Sequence, residues 1–234
     1  MLLLFQKCLC QSRRWNTKRL HYNVLILLTN EYIQTVNQYL NGNIKVPDHG
    51  MYIPIYQQQS FFGVPDKPIV VVNASGACSK IEVAGILVHE MIHYIQEKKY
   101  LIVNTAGFDF RDLDVEVSDI ELMKMISKRF KVYAEANAVY WQEQFYRCID
   151  SEESRLLLDS RLTHYVDFIK SGNLNDEEQI MYALGIYRFC EDYTEEVEHD
   201  KYNILQKYFC NMEDFYDLFE YSYWLKSVKE LISK

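Results

Sequence analysis

The spacing of apolar residues divides this chain into helical and strand-like stretches. From residue 16 to 41, Val24, Leu27, Leu28, Tyr32 and Val36 recur on one face, with Gly42 just beyond, which predicts an amphipathic helix. Residues 44 to 75 break that rhythm. They hold Pro47, Pro54, Pro65 and Pro68 together with the most strand-like runs, so a small sheet is expected there. The clearest strand is Ile69-Val70-Val71-Val72, a β-branched apolar run between Pro68 and the loop-forming Asn73-Ala74-Ser75-Gly76.

Helical periodicity returns after that loop. Ser79 followed by Glu82 is a capping-box signature. Ile81, Gly85, Val88, Ile92 and Ile95 then form one apolar stripe, while Glu82, Ile86, His89, His93 and Gln96 form a second at the same spacing. Lys98 and Lys99 close the helix where its dipole favours positive charge. Tyr100 to Val103 reads as one more short strand. A further helix is expected from about Phe130 to Arg147, with Glu135, Ala138, Val139 and Gln142 on one face. From Ser151 onward the pattern is helical throughout: Gly172-Asn173 separates two helices, Asp176 caps the second, and Asn211 caps the last. The fold class expected is α+β and mostly helical, with a small sheet preceding the first capped helix. Residues 1–150 form the core in this reading, and residues 151–234 a helical C-terminal subdomain packed on it.

The chemistry sits in that first capped helix, where His89-Glu90-Met91-Ile92-His93 spells HExxH. Two imidazoles four residues apart lie about 40° from each other around the axis and one turn along it, so both can ligate one zinc ion. Glu90 projects near enough to act as general base on a water held by that ion rather than on the ion itself. Catalytic zinc usually takes a third protein ligand. The remaining histidines, His21, His49, His164 and His199, do not follow the motif at a short glycine-containing spacing. Glu135 is the stronger candidate, because Ala134, Ala136 and Ala138 surround it on a helix otherwise carrying Val132, Val139, Tyr140, Trp141 and Phe145. Small side chains let two helices approach closely enough for a carboxylate to reach a metal on its neighbour.

LVHEMIHYIQE followed by YAEANAVYWQ resembles the zincin metallopeptidases, and within them the gluzincins; the resemblance covers roughly residues 67 to 147. It implies a zincin-like core and a hydrolase that cuts peptide bonds. His89, His93 and Glu135 would hold Zn2+, with Glu90 as general base. Val139 stands where many gluzincins carry an aspartate four residues after the ligand glutamate, and 41 residues lie between His93 and Glu135, more than in thermolysin-like members. An alternative function is an inactive zincin-like domain that binds a protein partner.

Zincin chemistry asks for more groups. Tyr133, Tyr140 and His164 are available to stabilise a developing oxyanion. Ile69 to Asn73 or Tyr52 to Gln57 could supply an edge strand for a peptide substrate. Glu143 and the acids between Asp109 and Glu121 are candidates for holding the histidine tautomers. The acidic residues Asp109, Asp112, Asp114, Glu116, Asp119 and Glu121 lack EF-hand order and read as a solvated loop and helix start rather than a calcium site.

Bulk properties narrow the partners. A chain of 234 residues with 49% hydrophobic content suits one globular unit, and a net charge of −8 argues against nucleic acid or an anionic membrane surface. Apolar runs such as Val24 to Leu28 are too short to span a bilayer. MLLLFQKCLCQSRRW places its apolar residues before its basic ones, the wrong order for a secretory signal, and fits an amphipathic arm or an extended start site. Cys8, Cys10, Cys78, Cys148, Cys190 and Cys210 show no CxxC pair and read as reduced, mostly buried thiols of a cytoplasmic protein. The Asn73-Ala74-Ser75 sequon carries little weight against that. The 19 tyrosines, and aromatic residues such as Tyr182, Tyr187, Phe189, Tyr208, Phe215, Phe219, Tyr223 and Trp224, are expected mainly in the core with hydroxyls reaching the surface.

Overall fold

A computed structural model describes residues 23–41, 46–59, 66–75, 79–104, 107–113, 120–172, 175–210 and 221–233. Its first element corrects the helix expected over residues 16–41. Leu25–Thr29 is a strand (β1), Tyr32–Tyr39 is a short helix (α1), and residues 16–22 lie outside the described part. A short continuous apolar run such as Val24 to Leu28 suits a buried strand as well as a helix, and a pairing partner distant in sequence decides between them. That partner is β3 (Ile69–Asn73), which pairs with β1 in parallel, Leu25 opposite Ile69 through Thr29 opposite Asn73. The Thr29 hydroxyl accepts the backbone N–H of Glu31 and turns the chain into α1.

β2 (Gly50–Ile53) pairs antiparallel with the other side of β3, giving a three-stranded sheet in the order β1-β3-β2. Ile69 to Val72 are all 0% exposed, as expected of a central strand covered on both faces. Ile69 and Val71 pack with Met51, Ile53, Tyr32 and Val36 on the α1 side. Val70 and Val72 face the main core, where α2 (Lys80–Tyr100) crosses the sheet.

α2 begins where the sequence indicated. Ser79 accepts the N–H of Glu82, the Glu82 carboxylate accepts the N–H of Ser79, and Lys98 and Lys99 occupy the last turn. The helix runs directly into a hairpin, β4 (Leu101–Asn104) and β5 (Gly107–Phe110). α3 (Ile120–Ile149) is longer than the expected 130–147, because the polar, Lys-rich turns before Phe130 continue the same amphipathic helix. Glu121 lies in its first turn, within the stretch read as loop and helix start; Asp114, Glu116 and Asp119 lie outside the described residues.

The rest is helical: α4 (Glu152–Ser171), α5 (Glu177–Asp192), α6 (His199–Phe209) and α7 (Tyr221–Ile232). Gly172 ends α4 at φ 67, and Asp176 caps α5 by accepting from the N–H groups of Glu178 and Gln179. Asn173 and Asn211 lie outside the described residues. α5 lies so close along α3 that a Cβ at Gly185 would fall 2.4 Å from the Ala136 carbonyl oxygen. The alanines around Glu135 therefore accept a helix on each side. α7 inserts a fully buried Trp224 between Phe110 and Phe130 and stacks Tyr221 on Tyr100, which ties it to the hairpin. One hydrophobic cluster runs from Val70 to Val228, across position 150. Among the described residues no helix is long and apolar enough to cross a membrane. Of the described cysteines all three are free thiols, and only Cys190 is buried; Cys148 is half-buried and Cys210, past the end of α6, is exposed.

Candidate metal centre

α2 and α3 bring His89, His93 and Glu135 together. The two rings stand one turn apart on α2, centroids 4.9 Å from each other and nearly perpendicular. Glu135 enters from α3, its Oε2 3.4 Å from Nε2 of His89 and 3.4 Å from Nε2 of His93. One nitrogen or oxygen from each of the three lies within 4.8 Å of the others, and among the described residues no second cluster of this kind forms. Tetrahedral N and O ligands about 2.1 Å from a cation are separated from each other by about 3.4 Å. The donor set and its spacing therefore fit a divalent metal, with three protein ligands leaving a fourth position.

The electrostatics of the three side chains match. Burial disfavours a charged His93, but the Glu135 carboxylate outweighs it and raises the ring's pKa from 6.5 to about 9. Burial also works against ionised Glu135, and His93 and His89 overcome it, holding the carboxyl well below its ordinary range. A metal would replace the proton shared by this pair.

Glu90 is not part of the triad. It is 8% exposed, and burial pushes its carboxyl pKa up despite the opposing pull of His89, His93 and the Tyr52 backbone N–H. β2 lies directly on it: a Cβ at Gly50 would fall 2.9 Å from Glu90 Oε1 and 2.6 Å from Ile86 Cγ2. β2 is an edge strand. Its alternate residues bond to β3, beginning with the His49 carbonyl accepting Asn73 N–H, so Gly50 and Tyr52 turn their backbone groups away from β3, and the Tyr52 N–H meets the Glu90 carboxylate there. Of the two segments expected to offer an edge, Ile69–Asn73 is excluded because it is the central strand. In the other, Pro54 ends the strand and residues 55–57 form a single 3-10 turn.

His93 is oriented by Gln96, on the same stripe of α2. Its Nδ1 lies 3.0 Å from Gln96 Oε1, while Gln96 Nε2 donates to the Ala134 carbonyl at 3.0 Å and to Asn137 Oδ1 at 3.3 Å. Among the described residues Glu143 hydrogen-bonds neither histidine; burial raises its carboxyl pKa, and the charges of Arg161 and then His89 oppose that. Its carboxylate, 1% exposed, accepts from Arg161 Nε of α4 at 2.6 Å, and its other oxygen has no partner. Asp109 and Asp112 are exposed, and Glu121 pairs with Lys124.

The oxyanion candidates are likewise placed elsewhere. Tyr133 packs among Tyr100, Phe130 and Tyr221, Tyr140 donates to Asp192, and His164 meets Gln179 and Tyr165. The aromatic residue beside the triad is Tyr182 of α5, edge-on to His89 at 5.8 Å between centroids. Its hydroxyl donates to Glu178 Oε1 at 3.1 Å, and burial, then the charges of Glu135, Glu178 and Glu90, push its pKa up. Only the local Glu178–Tyr182 spacing on a helix face hinted at a polar role for it.

Comparison of the chain with protein-family models, curated proteins and solved structures finds no match.

Proposed function

We propose that this protein is a zinc-dependent peptidase, with His89, His93 and Glu135 as ligands and Glu90 as general base. One observation carries the reading: two imidazole nitrogens each stand 3.4 Å from one Glu135 oxygen, all three atoms within 4.8 Å, beside a buried carboxylate of raised proton affinity that is not one of them. A purely structural site has no use for that fourth group. Two imidazoles and a carboxylate suit zinc, which when bound polarises a substrate carbonyl and makes water nucleophilic near neutral pH.

The chain's own residues supply the rest. Glu90 accepts the proton of the attacking water, its raised pKa bringing it nearer to working pH, and returns it to the leaving amine. The Tyr52 N–H and the close approach of Gly50 hold that carboxylate under β2. A protein or peptide substrate approaches along the outer side of β2, where Glu90 lies against Gly50 and the Tyr52 N–H. Tyr182 turns its hydroxyl from Glu178 to the developing negative charge. The free thiols among the described residues fit work in the cytoplasm.

Glu90→Gln tests the assignment. Zinc content should stay at that of the wild type while cleavage of a mixed peptide library falls by at least ~100-fold. Retained turnover would remove Glu90 as base.

A further inference from the structure

The Ala134 carbonyl can only accept a hydrogen bond, so the atom of Gln96 that faces it at 3.0 Å must be the amide nitrogen. That fixes which way the Gln96 amide points. Its oxygen then faces His93 Nδ1 at 3.0 Å, and an oxygen there requires Nδ1 to carry the proton. In the neutral ring, the form that binds a metal, Nε2 then keeps its lone pair, directed to the side where Glu135 lies 3.4 Å away. Asn137 Oδ1 reinforces the same amide orientation. Gln96 is 1% exposed and Asn137 8% exposed, so little water competes for these bonds.

We propose that Gln96 is a positioning residue through which the backbone of α3 sets the ring orientation and tautomer of His93. The same side chain ties α2 to α3 one residue before Glu135, so one amide governs two of the three ligands. The acceptor on His93 is a neutral amide, not a carboxylate. The α3 carboxylate at this level, Glu135, faces Nε2 of the ring rather than Nδ1, and Glu143 accepts from Arg161. This inference rests on the metal-site reading given above.

Zinc alone is the probe, titrated against a chromophoric chelator into wild type, Gln96→Met, Gln96→Glu and His93→Ala. Gln96→Met keeps the length of the side chain and removes both of its hydrogen-bonding halves. Its zinc Kd should rise by about 10- to 100-fold. Gln96→Glu keeps an acceptor for Nδ1–H but gives Ala134 no donor. It should hold zinc within a few-fold of wild type while the metal-free protein melts at a lower temperature. A residue serving only to pack the helices would lower the melting temperature in both variants without separating their zinc affinities; that result overturns the proposal. So does an unchanged Kd in Gln96→Met. If wild type itself binds no zinc, the metal site fails along with it. If wild type binds, His93→Ala does not, and Gln96→Met matches wild type, the positioning role alone fails. A measurement free of variants covers the case in which Gln96→Met does not fold. In the zinc-loaded wild type the His93 Nδ1 proton should resonate downfield and exchange slowly, and a fast-exchanging proton would refute its bond to Gln96.

Discussion

Replacing Gly50 with alanine perturbs the contact between β2 and Glu90 without touching any ligand. The new Cβ would lie 2.6 Å from Ile86 Cγ2, 2.9 Å from Glu90 Oε1 and 3.1 Å from Glu90 Cγ. Carbon atoms normally stand about 3.5–4.0 Å apart, so roughly 1 Å has to be found. Gly50 does not have a positive φ, so alanine accepts its backbone conformation and the effect is steric. Ile86 is buried in the body of α2 and has little freedom to give way. The strand must lift from the helix, or the Glu90 carboxylate must turn aside. Overpacking of this kind costs about 1–3 kcal/mol of stability. A displacement of about 1 Å at a reacting group costs on the order of 100-fold in rate, or about 2.7 kcal/mol of activation free energy. Urea unfolding, zinc content and kcat/KM on one cleaved peptide together read the outcome. The unfolding midpoint and kcat/KM should both fall while zinc stays at one per chain. Unchanged kcat/KM and an unchanged midpoint would refute the placement of β2 against Glu90.

In the metal-free protein His93 has a folded pKa raised from 6.5 to about 9, so its contribution to stability is complete below 6.5 and lost as pH rises through 9. Glu135, lowered from 4.5, contributes above that pH and loses its contribution as pH falls. Melting of chelator-treated protein should therefore decline from pH 6.5 to 9. Apparent zinc affinity should climb over the same window, by about tenfold per pH unit while one proton is displaced. A metal-free melting temperature that rises through this range would contradict the pairing of His93 with Glu135. Tyr182→Phe should lower kcat by about 10²–10³-fold with little change in KM or zinc content, and an unaltered kcat would exclude the hydroxyl from stabilising charge. Arg161→Met leaves Glu143, 1% exposed, without its cation and should destabilise the fold by about 3 kcal/mol in urea unfolding; a loss below about 1 kcal/mol would mean that water reaches Glu143.

The parts of the site that were legible in the sequence are those written within one helix. HExxH, the Ser79–Glu82 box and the terminal lysines lie within a few turns of each other, and local spacing alone puts both histidines on one face. Glu135 was readable because alanines in an aromatic helix signal a close approach, and α2 and α5 both make one. What was not legible depends on pairing at a distance. Leu25 to Thr29 becomes a strand only because β3, more than 40 residues later, offers it an edge. Tyr182 meets His89 through the packing of α5 on α3, and nothing within its own helix announces that neighbour. The bond from Glu143 to Arg161 of α4 was equally hidden, since the two residues meet only when α4 packs on α3. Gln96 stood on the histidine stripe in plain view, yet its task requires the Ala134 carbonyl of another helix.

Metal analysis of purified wild type beside His93→Ala and Glu135→Ala is the most direct measurement. The expected result is about one zinc per wild-type chain, with both variants losing it or binding it far more weakly. A folded wild type that takes up no zinc at neutral pH, or a Glu135→Ala protein that retains it undiminished, would contradict a site built from two turns of α2 and one carboxylate of α3.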